Sequence, residues 1–263
     1  MKLLKKYENW RVLSAIKKQP LPYSVWKPVS RLACVKHLSS VEKARLRILT
    51  SVLLEQKKFI GVQGLTLTEN MKLIIAAQAC VPVLKLGVNY YSGFVQVSIY
   101  PDAFWVDHKI IDASGILHYK RELLSGQSWS HGPVILSWND IQKDMQSKSP
   151  QHNVIIHEFV HKIDMLNQGA NGVPPISPSI NSKNWGKVFR HAFAEITQQL
   201  QHHSRTRINA YSASSPAEFF AVVSEYFFMA PDYLHQHYPD VYKELKLFYK
   251  QDPARTNKHT TNR

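Results

Sequence analysis

The run His157-Glu158-Phe159-Val160-His161 constrains this chain more than any other feature. An H-E-x-x-H pattern has chemical meaning only on a helix. There, positions four apart share a face with Cβ atoms roughly 5–6 Å apart. Two imidazoles at that spacing can converge on one Zn²⁺ at about 2.0–2.1 Å each. Glu158, one residue after the first imidazole, can then reach the activated water as general base. The surroundings favour the helix. Val154, Ile155, Ile156, Phe159, Val160, Ile163, Met165 and Leu166 form an apolar-periodic stretch, and neither Gly nor Pro occurs between Gln151 and Gln168. Pro150 before it and Gly169 after it are start and stop signals. The bland alternative is a buried amphipathic helix whose two His are satisfied by core hydrogen bonds.

A catalytic zinc takes three protein ligands and keeps one open position. The metzincin continuation needs Gly and His at fixed offsets after the second His. Asp164 and Asn167 stand there, which excludes that subclass. The remaining option is a carboxylate from a later element, and after Glu158 the chain holds only Glu195, Glu218, Glu225 and Glu244. Glu218 stands out. Ser215 reads as an N-cap and Pro216 as the first helical residue, so Glu218 falls in the first turn. The same Ser215-x-x-Glu218 spacing is a capping box, in which Glu218 would only reach back to the cap backbone. The residue pattern leaves these two readings level. Glu225 lies two turns further along the same face. It is either a partner that orients a ligating His or the third ligand itself. Asp164 shares a face with His157 and His161, as another such partner or as a solvated residue near the helix end.

Several stretches together resemble the Mlc titration factor A family of zinc peptidases: 76–84, 132–138, 153–165, 170–175, 216–228 and 248–253. The resemblance covers residues 20–253 and keeps the motifs in order. It implies an α+β, zincin-like fold with a small mixed sheet, an H-E-x-x-H helix and additional N-terminal and C-terminal helices. It implies a gluzincin-like site, similar to that of the anthrax lethal factor protease domain. His157, His161 and Glu218 would bind zinc, with Glu158 as base. Tyr211, seven residues before Glu218, would stabilise the transition state. The family also implies aminopeptidase-type activity on small substrates, and binding of a glucose-responsive transcriptional repressor. Two departures stand out: Val160, where relatives commonly have Ala, and 167–169, where Asp-Gly is usual.

Composition narrows the remaining classes. With 44% apolar residues in 263, the chain can bury a sizeable core. No run of about 18 apolar residues suggests a membrane span. No apolar segment follows the basic start, so a signal peptide is not expected. Cys34 and Cys80 have no metal spacing and read as reduced core thiols of a cytoplasmic protein. The net charge of +14 is uneven: residues 1–58 carry 14 Lys/Arg against 3 Asp/Glu, and residues 254–263 carry 3 basic residues and no acidic one. The stretch 59–253 is therefore neutral. A basic end can serve nucleic acid, an anionic membrane or an acidic partner, or simply be a solvated surface. No nucleic-acid motif accompanies it.

Three regions are expected: a basic helical N-terminal region 1–58 packed on the main domain, a catalytic domain 59–253, and a disordered basic tail 254–263. Helices are expected over 2–18, 40–58, 69–80, the motif segment, 185–201 and from Pro216 onward. Strands are expected over 94–100, 103–106, 116–119 and 134–138, and a long loop over 167–184. The strand 134–138 is expected to be the sheet edge over the metal, where an extended peptide would align. The reading is a zinc metallopeptidase acting on peptides. Its rival is an interaction protein that captures a regulator, and a third option is nucleic-acid binding through 1–58.

Overall fold

The structure is a computed structural model. It describes residues 13–15, 17–18, 20–111, 117–124, 126–128, 132–147, 151–167 and 169–255, without the side chains of 104–111, 117–124 and 127–128. Most of the helix expected over 2–18, and tail residues 256–263, lie outside this set. Residues 13–15 and 17–18 are helical.

Helices begin where a capping side chain meets apolar spacing. A one-turn helix, α1 (Tyr23–Trp26), precedes α2 (Ser40–Gln56). Helix α2 starts on a reciprocal cap: Ser39 Oγ accepts from the Glu42 N–H (3.3 Å), and the Glu42 carboxylate accepts from the Ser39 N–H (3.1 Å). It stops at Gln56 because Lys57 turns extended and the chain enters β1 (Lys58–Gly61), a strand the sequence reading missed. Helix α3 (Glu69–Ala79) starts on Thr68. Strands β2 (Gln96–Tyr100), β3 (Phe104–Ile111), β4 (Leu117–Leu124), β5 (Gly126–Ser128) and β6 (Val134–Ser137) follow. Helix α4 (Trp138–Gln146) then starts on Ser137, so Trp138 is helical rather than the end of a strand.

The main sheet has the order β1-β2-β6-β5. The first three strands are parallel, and β5 is antiparallel to β6, with Gly126 opposite Leu136 and Ser128 opposite Val134. Strands β3 and β4 form a separate antiparallel ribbon. The fold is thus α+β with a small, mostly parallel sheet. One expectation fails: β6 is paired on both sides, with β2 and β5, and cannot be a free edge. Among the described residues the sheet ends on that side at β5, which is too short to leave a periodic signature in the sequence.

The motif helix α5 (Val154–Asp164) is buried along its whole length. It packs against β5, β6, α3 and the later helix α7 (Pro216–Met229). Between them, α6 (Ser182–Gln201) starts three residues earlier than expected, on Asn181. Short α8 (Pro231–His237) and α9 (Pro239–Tyr249) close the fold. One hydrophobic cluster runs from Trp26 to Ala254, so residues 26–53 share the core of the rest. Cys34 and Cys80 are free and buried within it, and burial pushes the Cys34 thiol up to about 12. Among the described residues, no helix is long and apolar enough to cross a membrane.

Candidate metal centre

Helix α5 begins at Asn153, whose side-chain oxygen accepts from the Ile156 N–H (3.0 Å). The Asn153 side-chain amide donates to Gln78 Oε1 on α3 (2.7 Å), and its backbone N–H donates to Glu225 Oε2 on α7 (2.6 Å). One residue therefore ties the start of the motif helix to two neighbouring helices. One turn on, His157 and His161 project from the same face, with ring centroids 4.8 Å apart.

Three atoms converge there. His157 Nε2 lies 2.9 Å and His161 Nε2 3.3 Å from Glu218 Oε2, and the two Nε2 atoms are 3.1 Å apart. Ligands 2.0–2.1 Å from a tetrahedral metal lie roughly 3.3 Å from one another. The set has that size and a donor type suited to zinc, so these residues fit a metal ion. It is the sole such group of His, Cys, Asp and Glu among the described residues. Glu225 Oε1 meets His157 Nδ1 at 2.7 Å. A carboxylate accepts, so this contact keeps a proton on Nδ1 and would leave Nε2 to a metal ion when one is bound. Glu225 therefore stands behind His157, in the first of the two places the sequence left open for it.

The capping-box reading of Glu218 is half realised. Ser215 Oγ accepts from the Glu218 N–H (3.2 Å), but the Glu218 carboxylate turns to the imidazoles instead of the cap. Burial opposes its charge, yet His157 and His161 hold the carboxyl well below the usual carboxylate range.

Glu158 is 5% exposed, and burial pushes its carboxyl upward, with His157 and His161 opposing. Edge strand β5 passes directly against it. A Cβ on Gly126 would lie 2.4 Å from Glu158 Oε1, so a larger residue there would displace the Glu158 side chain. Tyr211 sits in a 3₁₀ turn, Ala210–Ala213, fixed by Asn209 Oδ1 accepting from its N–H (3.0 Å). Its ring centroid is 6.2 Å from that of His157. At 48% exposure beside a buried imidazole, it marks the open side of the cluster.

Asp164 makes no hydrogen bond to an imidazole nitrogen among the described residues. It is fully buried, and its Oδ2 accepts from the Gly172 N–H (2.7 Å). Gly172 has φ +77°, and a Cβ there would sit 2.4 Å from the Pro216 carbonyl oxygen. Asp164 thus pins the 169–176 loop against the first turn of α7, which carries Glu218. The sequence reading missed Gly126, Gly172 and the Asn153–Glu225 link. A lone Gly beside a strand hints at close approach, but it does not say to what.

Comparison with known proteins agrees with this geometry. The sequence profile of a family described as glucose-regulated metallo-peptidase M90 matches residues 7–250. That match sets the class, a metallopeptidase. Proteins called Mlc titration factor A from Yersinia pestis (strain Pestoides F) and Yersinia pseudotuberculosis serotype O:1b (strain IP 31758) are each 39% identical over 240 residues, covering 90% of this chain and 88% of theirs. The chain belongs to the glucose-regulated metallo-peptidase M90 family, and the resemblance read from the sequence is borne out.

Proposed function

We propose that this chain is a zinc-dependent peptidase with a gluzincin-like site in a zincin-like fold. The observation that carries the reading is the convergence of His157 Nε2, His161 Nε2 and Glu218 Oε2, with Glu158 on the next position of the same helix. His157, His161 and Glu218 would hold the ion. Zinc, when bound, would acidify a water and polarise the scissile carbonyl. Glu158 takes the proton of the attacking water and returns it to the leaving amine. Its buried position raises its basicity toward that task. The Tyr211 hydroxyl donates to the oxyanion of the tetrahedral intermediate. Glu225 holds the His157 ring in one tautomer and one orientation. The substrate lies extended along β5, the sheet edge beside Glu158 among the described residues, and pairs with it through backbone hydrogen bonds. Aminopeptidase-type action on small peptides follows the family resemblance, and a cytoplasmic location follows the reading of Cys34 and Cys80 as reduced thiols.

A second reading is an interaction protein. The relatives' name, Mlc titration factor A, speaks of titrating Mlc, and the resemblance implies a transcriptional repressor as partner. A site with a base beside the ligands favours catalysis, since capture of a regulator needs no base. The two activities can coexist on different surfaces.

Zinc content and hydrolysis of aminoacyl and internally quenched peptides, measured on wild type and Glu218→Ala, test the proposal. About one zinc per chain in wild type, lost with activity in the variant, is expected. Unchanged zinc in Glu218→Ala would remove that ligand and move attention to Glu225. Zinc without hydrolysis would favour the interaction protein.

A further inference from the structure

Lys162 is a charged side chain of the motif helix that the chemistry above leaves unused, and it is 4% exposed. Burial pushes its pKa down to about 8, with Glu158 opposing and Lys57 adding to the fall. Taking an ammonium out of water is costly, and an apolar side chain would fill the same space at less cost. Fixed contacts offset that cost. Lys162 Nζ donates to the Gly132 carbonyl oxygen (2.8 Å) and lies 5.2 Å from the centre of the Phe94 ring, within cation–π range.

The place of Gly132 gives the bond its meaning. Gly132 stands two residues before β6, at the end where Val134 pairs with Ser128 of β5. Further along the same pair, Gly126 lies opposite Leu136, and Gly126 is the residue packed against Glu158. Glu158 and Lys162 are one turn apart on one face of α5. That face therefore meets the β5–β6 pair at two points, the Glu158 carboxylate at Gly126 and the Lys162 ammonium at Gly132. The first is a steric contact and has no direction. The second is a charge-assisted hydrogen bond, which is stronger and directional, so it fixes the helix against the strands.

We propose that Lys162 is a positioning residue for peptide hydrolysis. Its bond to Gly132 holds the β5–β6 pair on the motif helix and so sets the distance between an extended substrate on β5 and the Glu158 carboxylate. The proposal rests on the peptidase reading above, with the substrate along β5.

The test compares full-length wild type with Lys162→Met, which keeps a long, unbranched side chain and cannot donate. Hydrogen exchange followed by mass spectrometry reads the strands directly. In zinc-free and zinc-loaded protein alike, amides of β5 and β6 should exchange about ten-fold faster in the variant, the effect of losing one charge-assisted bond. Amides of α9 should be unchanged. The ratio kcat/KM should fall about ten-fold or more on an internally quenched peptide, and less than about three-fold on an aminoacyl anilide too short to lie along β5. Zinc content should stay the same. Unchanged exchange in β5 and β6, or equal acceleration in α9, overturns the proposal. So does an equal loss on both substrates, which would mean that Lys162 acts on the base through its charge and not through the strands. If circular dichroism shows that Lys162→Met is not folded, Lys162→Gln, whose donor is uncharged and one atom closer to the backbone, is judged by the same criteria. Wild type that hydrolyses neither substrate removes the peptidase reading and this role with it. Loss of the exchange effect in an active enzyme removes this role alone.

Discussion

Helix α7 separates two interiors that follow opposite rules. Toward α5 it turns Glu218 and Glu225, which meet His157 and His161 in a buried polar cluster. Away from it, Phe220 packs on Trp185 and Phe248 (centroids 5.9 and 6.2 Å), and Phe228 packs on Tyr249 (4.8 Å). The aromatic interior stabilises the fold by removing apolar surface from water. The polar interior works the other way, since buried ionisable groups cost free energy unless they are paired. Binding sites need fixed atoms, and atoms are fixed by packing. The polar cluster can therefore be preorganised because the other face of the same helix is locked by aromatic rings.

Four substitutions would sharpen or break that contrast. The largest effect is expected for Glu158→Gln. Hydrolysis should fall by about 10²–10⁴-fold, while zinc content stays the same and the melting temperature holds or rises. Turnover at the wild-type rate would remove Glu158 as base. Next is Phe220→Ala on the aromatic side, which should lower the unfolding free energy by about 3–5 kcal/mol in denaturant melts. The zinc affinity of the folded fraction should be unaltered. A matching loss of affinity would mean that the two interiors are not separable. Third, Glu225→Gln should weaken zinc binding by about 10–100-fold in a competition assay with a chelating dye, with a much smaller stability change than Phe220→Ala.

The smallest effect concerns pH. His152 bonds Asp144 Oδ1 through Nδ1 (2.8 Å) and lies near Glu225. Burial opposes its charge, but these carboxylates raise its pKa from 6.5 to about 9. A His raised on folding stabilises fully below its unfolded pKa and loses that stabilisation as pH rises through its folded one. The stability gap between wild type and His152→Gln should therefore be widest below pH 6.5 and close as pH passes about 9. A gap that widens over that interval would show that His152 is not held charged by these partners.

Local order was legible in the residues. The Ser39–Glu42 cap, the Thr68 cap and the Pro216 start each lie within a few residues of the helix they open, so short-range spacing suffices to find them. The motif helix was legible for the same reason. Strands β1 and β5 were not, because four and three residues are too few to establish a period. The metal cluster was legible only in part. Spacing fixed the His157–His161 pair, while the choice of carboxylate depended on family resemblance, since Glu218 is 61 residues from His157.

Sequence alone predicted that one helix bears two His and a Glu at H-E-x-x-H spacing, because helical geometry makes that a matter of counting. It also narrowed the candidates for a third ligand to a handful of carboxylates. Tertiary structure decided everything that depends on distance across the fold. It placed Glu225 behind His157 rather than on the Nε2 side, and set Asp164 on the Gly172 loop rather than on an imidazole. It also made β5, with Gly126 pressed against Glu158, one of the two edges of the sheet among the described residues. These are consequences of packing between helices and strands far apart in the chain, and no local pattern carries that information.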